Sequence, residues 1–197
     1  MLIFSPNSLL GKIFPYAKWF IYGLLFINMT LFFSNQTIAE GIDSLAWLLL
    51  LLLLEWETSQ LDMDIVAKSE RVLLKLGRII SYIFIVYSIV IYGGESYIIE
   101  NGILDFYNAI IWFIVVMILE YELFSKKLFS RRKETFLNIL KFLLYFSLFV
   151  IAILWQMDGE WLDFYDAALW IICFFFIELN IVQYKDYLER KNEVPKW

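Results

Sequence analysis

Apolar residues run along this chain in long blocks, and polar residues gather between them. The blocks predict six membrane spans, at roughly 17–35, 40–60, 78–95, 103–124, 139–157 and 162–183. At ~1.5 Å rise per residue, helices of this length cross a hydrocarbon core of ~30 Å. The second block has a short continuous apolar run, Leu45 to Leu54, and Glu55, Glu57 and Ser59 follow it. No A-x-A-like cleavage pattern follows the first block, so it is expected to remain in the mature protein.

The polar positions inside the blocks repeat. Glu40, Asp43, Ser44 and Trp47 stand at the start of the second block, and Glu55 lies eight residues after the tryptophan. Asp105, Asn108, Ala109, Trp112 and Glu120 keep the same spacing in the fourth, and Asp163, Asp166, Ala167, Trp170 and Glu178 keep it in the sixth. The odd blocks open with a cation followed four residues later by a tyrosine: Lys18 and Tyr22, Arg78 and Tyr82, Lys141 and Tyr145. Three matches in register predict three tandem two-helix repeats, approximately 5–60, 69–125 and 130–185. The expected fold is all-α: one transmembrane domain over 1–197, a six-helix bundle with approximate internal threefold symmetry.

At ~100° per residue, Asn108, Ala109, Trp112 and Glu120 all fall within about 60° of Asp105 on a helix. Glu122 falls about 100° away. A stripe of acids, small residues and indoles on a membrane helix is expected to face protein, because lipid offers no hydrogen-bond partner. Glu120 lies ~22 Å along the axis from Asp105, inside the inner leaflet. Arg78 to Glu95 and Lys141 to Asp158 each measure ~25 Å on the same scale. Acid and base therefore come to one depth, which predicts buried pairs Lys18–Glu55, Arg78–Glu120 and Lys141–Glu178. Pairing with the next hairpin fits the depths equally well. Tyr22, Tyr82 and Tyr145 are placed to donate to the same carboxylates. An unpaired charge at mid-membrane costs ~2.5–3.5 kcal/mol on insertion scales.

Charge fixes an orientation. If the spans alternate, all 16 Lys and Arg lie on one side. The other side carries Glu40, Asp43, Glu95, Glu100, Asp105, Asp158, Glu160, Asp163 and Asp166 and no cation. The positive-inside rule places both termini in the cytoplasm, and the expected location is a bacterial inner (plasma) membrane. The basic run from Lys126 to Lys133 is mainly topogenic.

Composition narrows the chemistry. The chain is 61% hydrophobic and 20% aromatic, beyond what a soluble surface hides. It has no His and one Cys, Cys173, so the usual haem ligand, general base and disulfide chemistry are absent. No enzyme activity, cofactor or metal is expected, and no nucleic-acid partner, since the chain carries a net charge of −5. The expected partners are the lipid bilayer and either further copies of the chain or other membrane subunits. Two functional readings follow. One is a small cation-handling permease or channel-like protein, drawn from the outer acids (with Asn108) and the buried carboxylates. The other is a non-catalytic membrane scaffold or accessory subunit, in which the ion pairs are joints. The repeat tryptophans Trp47, Trp112 and Trp170 read as packing at the outer interface.

Overall fold

The computed structural model describes residues 9–59, 68–124 and 131–193. They form seven helices: α1 (Leu9–Asn35), α2 (Ile38–Ser59), α3 (Lys68–Tyr92), α4 (Glu95–Asn101), α5 (Leu104–Phe124), α6 (Arg131–Asp158) and α7 (Trp161–Glu193). Lys126, Lys127 and the repeat limits 5, 60, 125 and 130 lie outside the described residues.

Stretches of α1, α3, α5 and α6 are long and apolar enough to cross a membrane: Tyr16–Asn35, Val72–Tyr92, Leu104–Glu122 and Arg132–Asp158. Helices α2 and α7 are as long but more acidic. Glu40, Asp43 and Glu55 interrupt α2, and Asp163, Asp166 and Glu178 interrupt α7. In α5 the second acid position is Asn108, which lowers its charge. The same motif that marks the even blocks therefore sets their apolarity.

The chain divides into two compact units, one of Met1–Leu24 with Ile111–Trp197 and the other of Leu25–Ile110. The division passes through α1 and α5. In the second unit α2 packs along α3. The contact face of α3 is small and polar: Gly77, then Ser81 and Ser88, both fully buried. Their hydroxyls return to the carbonyls of Gly77 and Phe84, so neither needs an outside partner. Leu53 of α2 lies against Gly77, and Leu50, Leu51 and Leu54 of the same helix are buried as well. A Cβ built on Gly77 comes to 3.0 Å from Leu53, so any larger residue makes Leu53 give way. In the first unit α6 packs along α7, joined by Gly159 and Glu160; Gly159 takes the left-handed φ of 87° that this sharp reversal requires.

Two sequence expectations change here. The third span ends at Tyr92, not 95, because Gly93 and Gly94 break the helix. Glu95 then opens α4, so Arg78 and Glu95 do not share one helix axis, and the ~25 Å measured between them does not apply. Helix α4, closed by Gly102 at φ 88°, was not expected at all.

Candidate functional site: a lysine between two carboxylates

Lys141 leaves α6 about three turns in and is buried, with 7% of its surface exposed. Its Nζ donates to Glu122 Oε2 of α5 at 2.8 Å and to Glu178 Oε2 of α7 at 2.7 Å. The Glu122 side chain is fully buried. One ammonium thus joins three helices. Such charge-assisted bonds are short and about twice as strong as neutral ones. Ionised, the three groups together carry one negative charge.

Aromatic rings pack one turn away on α6 and α7. Trp112 of α5 lies tilted against Phe174 at 4.8 Å and edge-on to Tyr145 at 6.3 Å. Trp170 meets the same Phe174 at 6.0 Å. Phe174, Cys173 and Val115 are buried to 1% or less. This wall excludes water from one side of the site and strengthens its electrostatics.

The positions expected from sequence fall out unevenly. Lys141 and Glu178 meet, and Glu122, placed off the stripe by its helical angle, joins them as a second partner. Tyr145 does not support the pair: its buried hydroxyl has no hydrogen-bond partner among the described residues. Its ring instead turns edge-on to Trp112, where packing wins over reach. Lys18, Tyr22 and Glu120 belong to the first unit, Glu55, Arg78 and Tyr82 to the second. Tyr22 is buried and the other five are half-buried.

The motif positions Ser44 and Trp47, Ala109 and Trp112, Ala167 and Trp170 are all buried, between 3% and 8% exposed. The three tryptophans are therefore interior. Trp170 shows a reason for the spacing. Its indole N–H donates to Asp166 Oδ1 one turn earlier, at 3.1 Å. An acid four residues before a tryptophan is a helix pair of this kind, a signal already present in the sequence.

The second unit gathers part of the acidic cluster. Thr37 and Glu40 form a capping box at the start of α2: the Glu40 N–H donates to Thr37 Oγ1 at 3.3 Å, and that hydroxyl donates to Glu40 Oε1 at 2.7 Å. Tyr97 of α4, 93% buried, lies with its Oη 2.9 Å from Glu40 Oε1 and 2.8 Å from Asp105 Oδ2. Burial pushes the Tyr97 phenol well above its ordinary value, and the carboxylates of Asp105 and Glu40 push it further. Tyr92 interacts electrostatically with Tyr97, Glu40 and Asp105, and with Asp43. Asn108 follows one turn inward, its Oδ1 buried without a hydrogen-bond partner among the described residues. Asp163 and Asp166 belong to the first unit. Among the described residues no three His, Cys, Asp or Glu are placed to hold a metal ion.

Comparison with protein-family models, with curated proteins and with solved structures finds no match.

Proposed function

We propose that this chain is a six-span, cation-handling protein of a bacterial plasma membrane, built as three two-helix repeats with every lysine and arginine on the cytoplasmic side. One observation carries the reading. Lys141, in the longest apolar stretch, faces two carboxylates rather than one. A joint between helices needs one acid for each base, and a second acid drawn to the same ammonium adds the desolvation cost of a further buried carboxylate. A second acid is useful where a proton or another cation is to be taken up and released, as intramembrane carboxylates do in transport pathways. Lys18 with Glu55 and Arg78 with Glu120 are the corresponding pairs of the other two repeats in this proposal.

Reconstituted vesicles test it. Purified wild-type protein is expected to dissipate an imposed gradient of H⁺, Na⁺ or K⁺ faster than empty vesicles do. Glu122→Gln leaves a one-to-one pair between Lys141 and Glu178, so it should insert normally yet fall to the empty-vesicle rate. Equal flux in wild type and Glu122→Gln removes the site from any pathway. The absence of flux for all three ions in wild type leaves the scaffold reading.

A further inference from the structure

Lys141 stands where a transported cation would sit, between the carboxylates of Glu122 and Glu178. Its Nζ lies 2.8 Å from one Oε2 and 2.7 Å from the other. A metal cation entering here must exchange its water shell for several oxygens at once, and the ammonium already holds one oxygen of each acid. A proton asks for less: one lone pair on one carboxyl oxygen.

The two acids differ in access. The Glu122 side chain is fully buried, whereas that of Glu178 is 18% exposed. Glu178 is therefore the acid that a proton reaches, and Glu122 the one that keeps Lys141 charged and in place. A protonated carboxyl gains an O–H, and an ammonium has no lone pair to accept it. Tyr145 follows Lys141 by one turn of α6 and interacts electrostatically with Glu178 and Glu122. Its buried hydroxyl has no hydrogen-bond partner among the described residues, so its oxygen is able to accept. Two separate observations thus meet at one carboxyl: a fixed ammonium beside it and an unused acceptor near it.

Resting on the proposed transport, we infer that the ion handled here is the proton: Glu178 binds it, Tyr145 accepts the resulting O–H, and Lys141 bars metal cations. On uptake the proton adds to a carboxylate oxygen of Glu178; the bond from Lys141 to Glu178 weakens, and the bond to Glu122 stays. On release the proton leaves the same oxygen and the carboxylate returns to the ammonium. The titratable groups at the site are Glu122 of α5, Glu178 of α7, and Lys141 and Tyr145 of α6. Glu120 of α5 and Cys173 of α7 lie on neighbouring turns, and Lys18 and Tyr22 of α1 belong to the same unit.

The purified full chain in liposomes tests this, with a permeant anion present to balance charge. A gradient of H⁺ is imposed in buffer free of Na⁺ and K⁺, and gradients of Na⁺ or K⁺ are imposed at equal pH on both sides. Wild type is expected to pass H⁺ faster than empty vesicles do, and Na⁺ and K⁺ no faster. Flux of Na⁺ or K⁺ comparable to that of H⁺ overturns the proton assignment and leaves transport standing; no flux of any ion overturns both. Lys141→Gln removes the barring charge and is expected to admit Na⁺ or K⁺, whereas continued exclusion by the folded variant overturns the role given to Lys141. If that variant does not fold, Tyr145→Phe serves, since it keeps the ring and loses only the hydroxyl. It is expected to insert at wild-type yield and to slow H⁺ flux about tenfold, the weight of one hydrogen bond in the proton-loaded site, with Na⁺ and K⁺ still excluded. Unchanged H⁺ flux in Tyr145→Phe overturns the role given to Tyr145.

Discussion

Lys141 exchanges the water around its ammonium for two carboxylates. Removing the ammonium leaves a buried acid, Glu122, and a half-buried one, Glu178, without the charge that draws them together. Lys141→Met is therefore expected to cost ~3–5 kcal/mol, read as unfolding by SDS in mixed micelles. Glu122→Gln should cost less than about 1.5 kcal/mol in the same assay, because the amide oxygen still accepts from Lys141. The reverse order would show that the lysine is not the centre of the site. Trp170 presents a smaller case. Its bond to Asp166 is expected to contribute ~1 kcal/mol as the coupling energy in a double-mutant cycle of Trp170→Phe and Asp166→Asn. Depth counting along the helices was enough to place Lys141 and Glu178 at one level. It did not find Glu122, because helical angle locates a Cβ, whereas a glutamate and a lysine reach several ångströms beyond theirs. Nor did it find Tyr97, which belongs to none of the repeated positions and meets Glu40 and Asp105 on two other helices.

At the scale of the elements, the packing of α2 on α3 rests on the absence of a side chain at Gly77. Gly77→Ala gains helix propensity of up to ~1 kcal/mol, while its Cβ presses on Leu53, so the two effects nearly cancel. Gly77→Leu has no such relief and is expected to lose ~1–3 kcal/mol of stability. Leu53→Ala in the same chain should restore part of that loss, measured by the same SDS titration; an additive double variant would contradict the contact. The long helices were readable because uninterrupted apolar blocks of this length admit few alternatives. The break after Tyr92 was less readable, because the apolar pattern resumes at once in Tyr97, Ile98 and Ile99. Only Gly93 and Gly94 signal it, and glycine is common in membrane helices. The small face of α3 went unnoticed for a related reason: Gly77, Ser81 and Ser88 recur at helical spacing within α3 but have no counterpart in α1 or α6.

For the whole molecule, the proposed function depends on α2 and α7 crossing the membrane despite the acids they carry. Burial of Trp47 and Trp170 on these helices accords with polar stripes turned toward protein, which lowers the cost of the acids. Four crossings and six crossings put the start of α3 on opposite sides. Cysteine labelling distinguishes them, in a Cys173→Ala background that removes the one native thiol. Asn35→Cys, Glu100→Cys and Glu160→Cys occupy exposed positions at the ends of α1, α4 and the α6–α7 link. Ser69→Cys and Arg132→Cys occupy exposed positions at the starts of α3 and α6. With a membrane-impermeant maleimide on intact cells, the first three are expected to react, and Ser69→Cys and Arg132→Cys only after permeabilisation. Reaction of Ser69→Cys on intact cells would mean that α2 does not cross, and would contradict the six-span arrangement.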